Sequence, residues 1–203
     1  ILALFNRLQE RPLTGMIEAV PAYSSLTIYY DLNKVKKKIP AGNTIADSME
    51  SLLDGLVNEV RNIPEPPGRM ITVPVCYEPP YAMYISAVAD KNGLRVEDVI
   101  ERHVSRSYRV HMLGFLPGFA YMGEVDTSIS MPRKVQPTPV VAGSVGIVGL
   151  QTGIYPMASP GGWFIIGRTP LSLFDSSREE PTLFRAGDQI KFTAITMHEF
   201  ENY

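Results

Sequence analysis

The stretch Ala142–Trp163 reads AGSVGIVGLQTGIYPMASPGGW. It carries six glycines, two prolines and the only tryptophan of the chain. Three readings compete for it: a phosphate-cradling loop, a serine nucleophile elbow, or the tight corners of a β-barrel. A phosphate loop of the G-x-x-x-x-G-K-[ST] type needs a lysine for the β/γ-phosphates. No lysine occurs between Ala142 and Trp163. A dinucleotide fingerprint needs a helix after its glycines, and Ile154-Tyr155-Pro156 followed by Pro160-Gly161-Gly162 forbids one. The same argument weakens the elbow: AGSVG around Ser144 nearly matches G-x-S-x-G, but an elbow serine stands on a strand-to-helix turn. Turns between short strands are favoured over both, with Ser144 as a turn residue.

The surroundings agree. Upstream and downstream lie short β-forming runs punctuated by Gly and Pro: YRVHMLGF (108–115), GGWFIIGRT (161–169), LSLFD (171–175) and DQIKFTAIT (188–196). This spacing suggests a closed or sandwiched β architecture. It is preceded by the strand ITVPVCYEP, in which Val73, Val75 and Tyr77 share one face, and by two short helical runs, YAMYISAVADKNG and VEDVIERHVS. Asn92-Gly93 is a helix stop signal.

The first third has a different character. LALFNRLQE is helical, and MIEAVPAYSSLTIYYD (Met16–Asp31) reads as one or two strands broken near Pro21. Asn43 or Thr44 caps a strong helix, with Asp47 three residues after Thr44 as in a capping box. Ile45, Met49, Leu52, Leu53, Leu56, Val57 and Val60 form its apolar stripe. NIPEPPGRM (Asn62–Met70) packs three prolines and a glycine into nine residues and reads as a linker. The expectation is therefore two domains, 1–66 and 67–203, in an α+β chain: a small N-terminal α/β domain followed by one of closed or sandwiched β architecture.

The 203 residues are 45% hydrophobic and 20% charged, enough for a packed core. The formal charge of −2 argues against a general nucleic-acid binder. The basic run Asn33–Lys38 is short and reads as a solvated turn. No apolar run approaches the ~20 residues of a membrane span. A single cysteine, Cys76, excludes an intrachain disulfide and fits a reducing compartment. The chain opens on Ile1 inside a helical run, which points to a natural start further upstream.

Few side chains announce chemistry. His103, His111 and His198 are scattered, and Cys76 is alone, so a metal site is not expected. Cys76 reads as a buried strand residue. His103 ends the helix VEDVIERH. It suits either a helix-end cap, favoured by the C-terminal partial negative charge, or a proton shuttle. GFLPGFAYMG (Gly114–Gly123) sets Phe115, Phe119 and Tyr121 around Pro117-Gly118. These aromatics either fill the core or wall a pocket.

The segments GFLPGFAYMGEVD, MPRKVQPTPVVAGSVGIVGLQTGIYPMASPGGWFIIGRTPLSLFD and AGDQIKF resemble the allophanate hydrolase subunit 1 family, which includes the B subunits of 5-oxoprolinases and KipI-like proteins; PAYSSLTIYYD and VPVCY fit its earlier landmarks. The resemblance spans about Ile17 to Phe192. It implies a cyclophilin-like β-barrel as the C-terminal part and places the glycine-rich stretch on a shared active-site surface. It also implies a cytoplasmic hetero-oligomer that opens the lactam of 5-oxoproline to glutamate with ATP as co-substrate. The implied partners are a protein resembling allophanate hydrolase subunit 2, which is the 5-oxoprolinase C subunit, and the 5-oxoprolinase A subunit. By the same resemblance, His103, Gln151 and Arg133 would be catalytic, with His103 moving a proton. Phe115, Phe119, Tyr121, Ser144, Tyr155 and Trp163 would bind substrate. A second implication is a KipI-like regulatory protein that inhibits a sensor histidine kinase through its N-terminal domain. One departure stands out: family members often show Gly-Pro-Asp after the VPVCY strand, whereas Met83 stands roughly where that aspartate would be.

Overall fold

The computed structural model describes residues 1–37, 43–62 and 68–203. Residues 63–67, the centre of the expected linker, and Lys38 of the basic run lie outside them. The chain divides into two compact units, Ile1–Pro67 and Gly68–Tyr203.

The first unit contains α1 (Leu2–Glu10), β1 (Met16–Pro21), β2 (Leu26–Tyr30), α2 (Leu32–Lys36) and α3 (Ile45–Val60). β1 ends at Pro21 and pairs antiparallel with β2, so the proline breaks the β-rich run as the sequence suggests. Thr44 caps α3: its hydroxyl accepts from the Asp47 N–H at 3.1 Å. The expected stripe does its work at Leu53 and Leu56, which pack with Leu8, Ala19 and Ile28. Leu52 and Val57, also placed on that stripe, are exposed. The opposite face of the hairpin is open: Ile17 is 70% and Tyr29 54% exposed.

The second unit contains β3 (Met70–Cys76), α4 (Ile85–Asn92), α5 (Val96–Val104), β4 (Ser107–Leu113), β5 (Ala120–Gly123), β6 (Thr138–Val140), β7 (Ser144–Val148), β8 (Gln151–Ile154), β9 (Ser159–Gly161), β10 (Phe164–Arg168), β11 (Gln189–Ile195) and α6 (Met197–Glu201). Seven strands close into a barrel in the order β10-β3-β11-β4-β5-β8-β7. β3 and β11 run parallel; the other neighbours are antiparallel. The chain is thus α+β with a closed barrel. β6 and β9 form a separate two-stranded sheet.

The period of two sorts side chains to the two faces of the wall. Val73, Val75 and Tyr77, with Val110, Met122, Val145, Ile147, Ile154 and Phe192, fill the main core. A smaller apolar cluster of Phe119, Val140, Tyr155, Trp163 and Ile165 packs separately. α4 ends at Gly93, whose φ of 64° is the left-handed C-cap that Asn92-Gly93 predicts. Met83 is exposed, and Tyr84 at the α4 N-cap contributes no side-chain cap. LSLFD is not a strand; it is loop with one isolated bridge, Phe174 to Thr182. Asp188 is buried at the start of β11, where its carboxylate takes both Arg69 nitrogens at 3.0 and 2.6 Å and the Arg185 N–H at 2.8 Å.

Candidate functional site

A hollow of about 310 Å³ opens on the barrel wall, within the usual range for small-molecule sites. The sheet that carries its aromatic walls is floored by glycines. Gly153 of β8 pairs with Gly146 of β7 on one side and Tyr121 of β5 on the other. A Cβ at Gly153 would stand 2.9 Å from the Ala120 carbonyl oxygen, 3.0 Å from the Trp163 ring and 3.1 Å from Phe119. A Cβ at Gly146 would stand 3.1 Å from Trp163 Cβ. Two bare backbones side by side therefore let aromatic rings lie directly on the sheet. Gly153→Ala is expected to force β5 or the rings outward and to cost ~1–3 kcal/mol by overpacking, measured as a fall in the urea midpoint at unchanged slope.

Over that floor Phe119 is the hub. It meets Trp163 at 5.4 Å and 84°, Tyr155 at 5.0 Å and 84°, and Tyr121 at 4.7 Å between ring centroids. Edge-to-face pairs of this kind stiffen a wall. Phe115 stands at the rim, 64% exposed and edge-on to Phe119 at 5.9 Å. Its φ of 70° puts a bulky side chain in the left-handed region, which costs on the order of 1–3 kcal/mol. The turn holds it there: Gly114 N–H donates to the Phe119 carbonyl at 3.1 Å, and Phe119 N–H to the Leu116 carbonyl at 3.0 Å.

The polar groups are few. Gln151 lines the hollow from the start of β8, and no side-chain hydrogen bond engages its carboxamide among the described residues. Arg133 reaches in across Gly162, where a Cβ would meet its Nε at 3.1 Å. No carboxylate pairs with Arg133 among the described residues, and none lines the hollow. Burial pushes the Tyr155 hydroxyl up to about 12 and raises that of Tyr121, so both are neutral donors near pH 7; nearby Arg133 opposes each shift. The site suits a small planar anion that also offers amide hydrogen bonds.

Of the positions the sequence nominated, Gln151, Arg133, Phe115, Phe119, Tyr121, Tyr155 and Trp163 line this one hollow. Two, Ser144 and His103, do not. Ser144 is 3% exposed at the far end of β7. It shares a face with Val148, which lines the hollow, but four residues of strand put it about 13 Å away.

His103 is fully buried on the other side of the wall. Alternation along β8 turns Gln151 to the hollow and Thr152 to the interior, and His103 meets Thr152. Its imidazole stacks against both Phe192 (4.6 Å) and Tyr108 (5.2 Å), which also meet each other at 5.4 Å. Nδ1 lies 2.8 Å from the Tyr77 hydroxyl and Nε2 3.0 Å from Thr152 Oγ1. Desolvation drives its pKa down to about 3, so it is neutral near pH 7. The helix-end charge that favours an imidazolium loses to burial in an uncharged core.

Val148, Pro137 and Pro160 also line the hollow and escaped the sequence reading; they are wall residues whose only signal was proximity to the glycine-rich stretch. Among the described residues no cluster of three or more His, Cys, Asp or Glu has the arrangement of a metal site, and no helix is long and apolar enough to cross a membrane.

A family model described as carboxyltransferase domain, subdomain C and D, matches residues 1–184. The chain is 42% identical over 198 residues to the 5-oxoprolinase B subunit of Bacillus subtilis (strain 168), covering 97% of this chain and 82% of that one. It is 39% identical over 199 residues to the 5-oxoprolinase B subunit of Escherichia coli O157:H7, covering 95% and 83%. Among solved structures, TTHA0988 superimposes with a TM-score of 0.78 at 36% identity. That match covers 96% of this chain but only 36% of the longer TTHA0988 chain.

Proposed function

Because the chain belongs to the carboxyltransferase domain, subdomain C and D, family, alongside relatives named as the B subunit of 5-oxoprolinase, we propose that it is the B subunit of an ATP-dependent complex that opens the lactam of 5-oxoproline to glutamate. The observation that supports this most is the pairing of Gln151 and Arg133 in a hollow walled by aromatics, with no protein partner for either side chain among the described residues.

5-Oxoproline is a five-membered ring with a carboxylate and a cis amide. Its ring N–H and C=O point to the same side. The carboxamide of Gln151 presents an oxygen acceptor and an NH₂ donor side by side, the complement of that edge. Arg133 supplies a fork for the carboxylate. The ring methylenes would lie on Phe119 and Trp163, and the Tyr155 and Tyr121 hydroxyls remain protonated to donate. The lactam is a stable amide, so hydrolysis needs activation. ATP transfers its γ-phosphoryl group to the amide oxygen, releasing ADP and making the carbonyl carbon electrophilic; water adds, the ring C–N bond breaks as the nitrogen takes up a proton, and hydrolysis of the resulting acyl phosphate releases phosphate and glutamate. ATP enters as a co-substrate of the complex. The partners are a protein resembling allophanate hydrolase subunit 2, which serves as the C subunit of the working assembly, and the 5-oxoprolinase A subunit.

The test is glutamate formation from 5-oxoproline and ATP by the chain combined with those two partners. Gln151→Ala is expected to lower the rate at least tenfold while the variant folds normally. A folded Gln151→Ala protein at the wild-type rate removes the hollow from the reaction.

A second reading draws on the first unit. The open face of the β1–β2 hairpin exposes Ile17, Val20 and Tyr29, the kind of apolar surface that an inhibitor of a sensor histidine kinase would use. Ile17→Asp would abolish inhibition of kinase autophosphorylation on that reading and leave the lactam reaction intact.

A further inference from the structure

We infer that Thr152 and His103 are positioning residues: a buried hydrogen-bond chain from Tyr77 through His103 and Thr152 to the Gly146 carbonyl holds the floor of the hollow in register. The inference rests on the hollow being the ligand site.

The direction of each bond follows from proton counting. Thr152 Oγ1 lies 3.1 Å from the Gly146 carbonyl oxygen, which can only accept, so the threonine proton points there. Thr152 Oγ1 then accepts from His103, so Nε2 carries the imidazole proton. Nδ1 is left as the acceptor, and the Tyr77 hydroxyl donates to it. Each bond of this relay thus has one direction, with Thr152 Oγ1 and the imidazole each donating one bond and accepting another. The Tyr108 hydroxyl is committed elsewhere, to the His103 carbonyl at 2.7 Å.

The relay ends where the site begins. Gly146 is the glycine whose missing Cβ admits Trp163. Thr152 lies between Gln151, which faces the hollow, and Gly153, whose bare backbone carries the Trp163 and Phe119 rings that wall it. The β7–β8 ladder joins the two strands through their backbones; where the paired glycines offer no side chains, a hydroxyl bridging β8 to β7 from the inner face adds a side-chain constraint. The imidazole in turn fixes the rotamer of that hydroxyl, and the stacked Phe192 and Tyr108 rings fix the imidazole. An imidazole is well suited to this place because it is flat enough to stack and donates and accepts on opposite edges.

The lone tryptophan gives a direct readout, because Trp163 lies on the floor in question. Three proteins are compared: wild type, Thr152→Val, which keeps the shape and loses the hydroxyl, and Thr152→Ser, which restores it. Trp163 emission and its quenching by acrylamide are measured without ligand, at a temperature where circular dichroism shows all three folded. 5-Oxoproline is then titrated against the same emission. Thr152→Val is expected to raise acrylamide quenching at least twofold and to weaken 5-oxoproline binding at least fivefold, with Thr152→Ser close to wild type in both. A Thr152→Val protein that melts earlier but matches wild type in quenching overturns the inference, since a purely structural threonine would behave so. If wild type fails to bind 5-oxoproline, the proposed substrate falls, and the ligand-free quenching still decides whether the relay holds the floor.

Discussion

Arg133→Ala is expected to reduce kcat/KM for ATP-dependent glutamate formation about 30-fold, equivalent to ~2 kcal/mol for a lost charge-assisted bidentate contact. The loss should fall mainly on KM, because a carboxylate that takes no part in the bond changes is held equally in ground and transition states. Arg133→Lys keeps the charge but not the fork, and should recover only part of the affinity. Stability should be unaffected, since Arg133 is exposed and takes part in no ion pair among the described residues. Steady-state kinetics of the assembled complex, with Trp163 titration of the chain alone, measures both parts. An Arg133→Ala enzyme with wild-type KM would place the carboxylate elsewhere.

The second large effect concerns acid. His103 is neutral in the fold down to about pH 3, whereas an unfolded histidine takes up its proton near pH 6.5. The unfolded state therefore binds more protons between those values. Stability from this group is complete above pH 6.5 and is lost as pH falls toward about 3, by up to ~1.4 kcal/mol per pH unit. The groups packed against the ring are Tyr77, Thr152, Tyr108 and Phe192, none of them charged near neutral pH. Nothing there offsets the cost of an imidazolium. Carboxylates held down by arginines, such as Asp98 at about 2 beside Arg95, add a slope of the same sign. The contribution of His103 is therefore read as the difference between wild type and His103→Gln. Urea unfolding at a series of pH values should show the variant with a shallower loss between pH 6.5 and 4. Equal slopes would mean that the imidazole is protonated or hydrated within the fold.

Much of the fold could be read in advance because it depends on local rules. Pro21 breaks a strand, Thr44 with Asp47 starts a helix, Asn92-Gly93 stops one, and the lysine-free glycines of 142–163 favour strand corners. The run LSLFD misled because β-forming residues need a neighbouring strand, and Phe174 finds only Thr182. The lining of the hollow was legible in the same measure. The aromatics of GFLPGFAY and the Gln151, Tyr155 and Trp163 of the glycine-rich stretch are close in sequence to the corners that gather them. That His103 stands away from the hollow is something sequence cannot show. A helix-end histidine is equally compatible with solvent and with a barrel interior, and the choice depends on where β8 passes: Thr152 inside, Gln151 outside. Ser144 is set apart by distance along its strand rather than by face.

The parallel pairing of β3 with β11 joins Met70 to Gln189 and Cys76 to Ile195. The first staves of the cask are thus locked in place by one of the last to be made. During synthesis at roughly 5–20 residues per second, β3 leaves the ribosome on the order of ten seconds before its mate exists. Its strongly apolar edge must be sheltered in the interval, by α4 and α5 or by a chaperone. Assembly with any companion protein through the finished wall can begin only after translation has passed Ile195.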